Sequence, residues 1–134
     1  MLIAGALQNI NSVRKKLNDQ FKMVDLGHVN HFLGRVITRE LNNHTMYLTQ
    51  EGYIDRVLEK FGMKECKPVG TPMEREKPSV RCDGDESCNK NLYLQLIGSL
   101  GWIATSTRPY IAFAVSYLGR FNADPTVHHW ICVK

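Results

Sequence analysis

The sequence predicts an α+β chain that turns all-helical in its second half. Three observations carry this. An amphipathic helical period leads into two short stretches rich in branched residues, set around an Asn-Asn-His turn signal. A second amphipathic period follows at once. Beyond a charged stretch with several prolines, the chain is apolar nearly all round a helix.

The elements follow in order. "MLIAG", Met1 to Gly5, is apolar or small throughout and reads like the middle of an element. From Gln8 to Phe21, the residues Ile10, Val13, Leu17 and Phe21 share one helical face. Arg14, Lys15, Lys16, Asn18 and Asp19 take the other, and Asn11 or Ser12 is placed to cap the start. Packing on a sheet or a neighbouring helix is expected. Phe32 to Leu41, "FLGRVITREL", and Thr45 to Thr49, "TMYLT", make a β-hairpin, with Met46 and Leu48 on one side. A helix from about Gln50 to Phe61 is expected to bury Tyr53, Ile54, Val57, Leu58 and Phe61. Thr49 would cap it and Gly62 would end it in a left-handed conformation.

Lys64 to Lys90 holds Pro68, Pro72 and Pro78 and many charges, so it reads as a linker or long loop with room for short extended pieces. "LYLQLIGSLGWIA" then reads as a largely buried helix. Its burial must come from Tyr53, Ile54, Val57 and the helices that follow. Pro109 sits just inside a second helix with Thr107 as cap. Asn122 or Asp124 before Pro125 announces a third, two turns long at Lys134. Both ends of the sequence look interrupted.

A length of 134 residues suits one ordinary domain, and 43% apolar with 22% charged residues describes a globular chain. The net charge of +4 is compatible with a polyanionic partner and equally with a solvated basic surface. "MLIAGAL" lacks the charged start of a secretory signal, and Leu92 to Leu118 is interrupted by polar residues too often to span a membrane. The expectation is a soluble, intracellular chain without membrane partners, cytoplasmic or nuclear. Cys66, Cys82, Cys88 and Cys132 form no CxxC pair and read as reduced thiols. His28 with His31, and His128 with His129, complete no metal set.

No constellation of catalytic residues emerges. "DGDESCN", Asp83 to Asn89, spaces oxygen ligands like a calcium loop, but Cys88 and Leu94 stand where glycine and glutamate are needed. Asp55 and Glu59 lie between Arg56 and Lys60 on a solvated helix face. Gly98 and Gly101 follow no strand and precede no Gly-Lys-Ser/Thr, so close helix packing explains them better than phosphate binding.

The order of longer strings is more specific. "FKMVDLGHVNHFLGRVI", "YLTQEGYIDRVLEKFGM", "CKPVGTPME", "YLQLIGSLGWIATSTRPYIAFAVSYLGRF" and "DPTVHHW" follow one another at fitting spacings. The series resembles the reverse transcriptase of copia-type LTR retrotransposons, within the pol polyprotein, over essentially the whole chain. The resemblance implies a truncated RNA-directed DNA polymerase. Residues 1–48 would be the end of the palm with a primer-grip-like hairpin. Residues 49–67 would be a thumb-like helix and its exit, 68–90 a linker, and 91–134 a helical thumb or connection segment.

By that resemblance a Tyr-Val-Asp-Asp motif precedes "MLIAG", which would be the second strand of the catalytic hairpin. The Mg²⁺-binding aspartates of two-metal transfer would then lie upstream. No cofactor and no catalytic residue is expected in this stretch, and the palm, fingers and RNase H regions of the polyprotein would be its partners. Phe32, Leu33, Gly34 and Arg35 match the primer grip and are the candidate contacts to an RNA or DNA primer–template. Arg56, Lys60, Lys64 and Lys67 are candidate backbone contacts on the thumb-like helix and its exit. "TRPYI" departs from the family's usual Thr-Arg-Pro-Asp-Ile at Tyr110, and Gly101-Trp102 replaces a more usual apolar-Tyr pair. Those departures fit the alternatives, a non-catalytic nucleic-acid-binding remnant or a decayed reading frame without function.

Overall fold

The computed structural model describes residues 3–73, 78 and 84–134. They fall into two units, Met1–Tyr47 and Leu48–Lys134.

In the first unit, α1 runs from Leu7 to Gln20. It starts earlier than its expected caps: Ala6 holds the N-cap position without a side-chain bond, and Asn11 and Ser12 lie inside the helix. Its apolar stripe is not buried as expected. Ile10 and Leu17 are half-buried, while Val13 is 42% and Phe21 60% exposed. The unit is too thin to cover the stripe, since no described residue from 3 to 47 is buried. Arg14 pairs with Asp25 at 2.9 Å on the surface, a contact worth little by itself. Residues 3–5 form no strand, and Met1 and Leu2 lie outside the described residues.

The stretch expected to be one strand from Phe32 to Leu41 is broken. β1 is His31–Phe32 and β2 is Arg35–Glu40, paired antiparallel with Phe32 opposite Arg35. Leu33 and Gly34 make the turn between them, with φ of +50° and +74°. That sign at both central residues is what a tight hairpin turn of type I′ requires. A short 3₁₀ turn, Leu41–Asn43, and His44 at φ +50° then lead into β3, Thr45–Thr49, so the Asn-Asn-His signal does mark a turn. The strands order as β1-β2-β3. Met46 and Leu48 share one side of β3, as expected, and that side is the open one: they are 55% and 43% exposed, whereas Thr45 and Thr49 are half-buried.

In the second unit, α2 is Glu51–Lys60 with Gln50 at the N-cap position rather than Thr49. Val57 and Phe61 are buried, and Tyr53, Ile54 and Leu58 half-buried, which is the expected stripe. Gly62 at φ +67° closes the helix: its N–H donates to Glu59 O at 3.1 Å and the Met63 N–H to Leu58 O at 2.7 Å. These are the two bonds of a Schellman end. α3 is Lys90–Ser106, capped by the Asn89 side chain, which accepts from the Leu92 N–H at 3.1 Å. It buries Tyr93, Leu96, Ile97, Ile103 and Ala104, and the first four join Val57, Phe61, Leu118 and Val133 in one core. Each large side chain buried there contributes about 1.5–3 kcal/mol. Of the two glycines expected to allow close packing, Gly101 meets Val115 where a Cβ would stand, at 4.0 Å, but Gly98 is exposed with nothing near it.

Pro109–Ile111 forms a 3₁₀ turn that runs into α4, Ala112–Gly119. Thr107 does not cap it. Its hydroxyl donates instead to Gln50 Oε1 at 2.7 Å, and Arg108 occupies the position before the turn. α5 is Val127–Val133, and its cap is Thr126, not Asn122 or Asp124, because Pro125 lies outside the helix. The Thr126 N–H donates to His129 Nδ1 at 3.0 Å, and the His129 N–H returns to Thr126 Oγ1 at 3.4 Å. Two backbone bonds tie this entry to the residues before α3: Val127 N–H to Glu86 O at 2.9 Å and Cys88 N–H to Pro125 O at 3.2 Å. Within the expected linker, Pro78 is buried and its carbonyl accepts from the Tyr117 hydroxyl at 3.0 Å. Residues 74–77 and 79–83, including Cys82 and the start of the calcium-like loop, lie outside the described residues. Among the described residues, Cys66, Cys88 and Cys132 form no disulfide. No helix among the described residues is long and apolar enough to cross a membrane.

Candidate nucleic-acid interface

The β1–β2 turn presents the four primer-grip-like residues together because a tight antiparallel turn leaves its two central residues at the tip. Phe32 and Arg35 face each other as the closing pair, both half-buried. Leu33 and Gly34 form the tip, with Leu33 62% exposed. A Cβ on Gly34 would meet nothing within 4 Å, so it is the backbone conformation, not crowding, that calls for glycine there. The Ile37 N–H donates to Asn30 O at 2.7 Å and extends the pairing past His31. A leucine at φ +50° is unusual, since a side chain in that region costs on the order of 1–2 kcal/mol.

Beside this hairpin, the same unit holds a cleft of about 390 Å³ lined by His28, Asn30, Val36, Ile37, Thr38, Arg39 and Leu41. Arg39 Nη1 donates to Val29 O at 3.4 Å. The sequence reading did not single out Arg39. Its only trace in the sequence is the run of polar residues, Thr38, Arg39 and Glu40, that forms the exposed end of β2.

In the second unit, Arg56 and Lys60 lie on the exposed side of α2, one turn apart, and Lys64 and Lys67 are exposed in its exit. Arg56 is over the Tyr53 ring at 5.9 Å and Lys60 over the Phe61 ring at 5.5 Å. Such placement holds the long stems along apolar surface while the charged heads stay in water. Gln50, which the sequence reading passed over, is buried behind Thr107 at the start of this helix.

Among the described residues no three His, Cys, Asp or Glu side chains come together in a way that would hold a metal ion. The described residues therefore do not fit the paired Mg²⁺ ions of polymerase chemistry.

Comparison with known proteins decides the family. The profile of reverse transcriptase (RNA-dependent DNA polymerase) matches residues 1–75, from before α1 to beyond the exit of α2. The chain belongs to the reverse transcriptase family. The copia-type assignment made from the order of motifs holds. The chain is 39% identical to the retrovirus-related Pol polyprotein from transposon TNT 1-94 of Nicotiana tabacum, a match that covers all of this chain and 11% of the relative. It is 29% identical to an uncharacterised mitochondrial protein of Arabidopsis thaliana, over all of this chain and 55% of that one. It is 30% identical to the retrovirus-related Pol polyprotein from transposon RE1 of the same plant, over 93% of this chain and 8% of the polyprotein. This reverse transcriptase sequence thus spans between a small part and about half of those relatives' lengths. No solved structure matches it.

Proposed function

We propose that this chain holds nucleic-acid backbone as part of a copia-type reverse transcriptase and does not polymerise on its own. The observation that supports this most is the hairpin tip, where exposed Leu33 sits in a left-handed conformation beside Gly34 and next to Arg35. Backbone cost of that kind persists chiefly at sites that bind or react. The bare Gly34 backbone gives a primer strand room to approach, and Arg35 offers a phosphate contact that reads no sequence. In this reading residues 1–48 close the palm, 49–67 start the thumb, 68–90 link, and 91–134 extend the thumb toward the connection. The aspartates that hold Mg²⁺ come from another part of the polymerase.

Two assays test it. The purified chain, given primer–template, nucleotides and Mg²⁺, should incorporate nothing; incorporation would sink the claim of inactivity. The same duplex should bind at low salt and release as salt rises. Absence of binding at low salt would remove the nucleic-acid role.

A second reading, a sequence no longer held to any function, is favoured by one observation: no described residue from 3 to 47 is buried. A cooperative thermal transition that includes the hairpin would exclude it.

A further inference from the structure

A cleft of about 270 Å³ opens at the start of α2, lined by Gln50, Glu51, Ile54, Thr107, Arg108 and Tyr110 with the end of β3. It lies wholly within the second unit and is distinct from the hairpin. We infer that this cleft is an oxyanion site that takes a phosphate group, held by the first amides of α2, the Gln50 carboxamide and the Arg108 guanidinium.

Three features converge there. α2 begins with no side-chain cap. The Tyr53 and Ile54 N–H groups both donate to Gln50 O, at 2.9 Å each, but the Glu51 and Gly52 N–H groups have no acceptor among the described residues. Free amides at a helix start, with the positive end of the helix dipole, favour an anion. Gly52 adds no side chain over its own amide; a Cβ there would meet only Arg56, at 3.9 Å.

Gln50 is the second and independent sign. It is 2% exposed, and the Thr107 hydroxyl donates to its Oε1 at 2.7 Å. That bond fixes the carboxamide and leaves Nε2 buried with no partner. A buried donor without an acceptor costs on the order of 1–3 kcal/mol, and a bound acceptor removes that cost. Arg108 supplies charge. One of its donors goes to the Tyr110 hydroxyl at 2.7 Å, which steadies the guanidinium at the cleft and leaves its other N–H groups for a ligand. Glu51 is the opposing charge at the rim, and it limits affinity.

Inorganic phosphate and a short single-stranded oligonucleotide, titrated separately into the full chain, distinguish a free phosphate from a backbone one. Amide resonances read the site. With phosphate, the Glu51 and Gly52 amides should shift saturably by ~10 mM, a millimolar affinity suited to a small open cleft. Arg108→Met should weaken binding by about tenfold, the worth of a charge-assisted hydrogen bond. Glu51→Gln should tighten it. Both residues are exposed, so the variants keep the fold, unlike a change at buried Gln50. Shifts with the oligonucleotide alone assign the site to nucleic-acid backbone, and shifts with phosphate alone assign it to a free phosphate. If neither ligand moves these two amides, or if Arg108→Met and Glu51→Gln leave the titration unchanged, the site does not exist. Oligonucleotide binding confined to Arg35 or Lys60, with no phosphate-induced shift at the Glu51 and Gly52 amides, overturns it and leaves the hairpin reading standing.

Discussion

The Tyr93 hydroxyl donates to the Leu118 carbonyl across 2.7 Å and joins α3 to α4 inside the core. Tyr93 is fully buried and Leu118 is 4% exposed. Burial, and then the charge that Cys88 and Cys132 would carry as thiolates, pushes this phenol up to about 12. The neutral form is therefore favoured by folding. Its contribution to stability is complete below pH 10, the ordinary tyrosine value, and is lost as pH rises through 12. An ultraviolet titration should show one late phenolate step that Tyr93→Phe removes, accompanied by unfolding. At neutral pH that variant should lose about 1 kcal/mol, not more, because Leu118 O keeps the Phe121 N–H at 3.1 Å as a second partner.

Thr126 and His129 cap α5 for each other, and His129 stacks on Phe121 with ring centroids 4.0 Å apart. Thr126→Ala should cost about 1 kcal/mol, while Thr126→Ser, which keeps the oxygen, should cost far less. Thermal melts of the two variants check this. Equal melting temperatures would show that the cap adds nothing.

Leu33→Asn puts at the hairpin tip a side-chain-bearing residue that tolerates the left-handed region better than leucine does. The hairpin should gain about 1 kcal/mol, read as slower amide exchange at Ile37. Duplex binding should weaken, because the exposed leucine is lost. Wild-type affinity in this variant would show that the Leu33 side chain touches no nucleic acid. Gly34→Ala should do the reverse to the hairpin and loosen it by roughly 1 kcal/mol.

Arg56→Gln and Lys60→Gln test the thumb-like face. If each cation neutralises one phosphate, each change should lower the slope of log affinity against log salt by about 0.9. A slope unchanged in the double variant would restrict contact to the hairpin.

What was legible in the sequence follows from where the determining contacts lie. α2 could be read because its stripe and its Gly62 terminator are local, and α3 because its apolar character leaves it nowhere but a core. The caps were misread where a tertiary contact decided them. Thr107 is drawn away by Gln50, fifty-seven positions distant in sequence. Thr126 is hidden because a proline after Asp124 reads as the first helical residue, whereas Pro125 lies outside α5. The β1–β2 turn escaped notice since Leu33-Gly34 lacks the usual Asn-Gly signature, though a glycine inside a strand pattern was its trace. Hydrophobic period alone says which face of α1 is apolar, not whether this unit supplies a wall for it. Gln50 and Arg108 could not be paired from sequence at all, because only the fold brings α2's start beside α3's end.

The bonds that join Glu86 and Cys88 to Pro125 and Val127 close a circuit of about forty residues around α3 and α4. Closing so long a loop is entropically costly and must wait until the helices inside it have gathered. The clasp is therefore expected late in folding, after α3 and α4 have packed, and it couples the residues before α3 to the start of α5. Once shut, it makes the last helix dependent on a stretch forty residues earlier. A protease cut between Gly84 and Cys88 would release α5 from its anchor while leaving every residue of α5 intact.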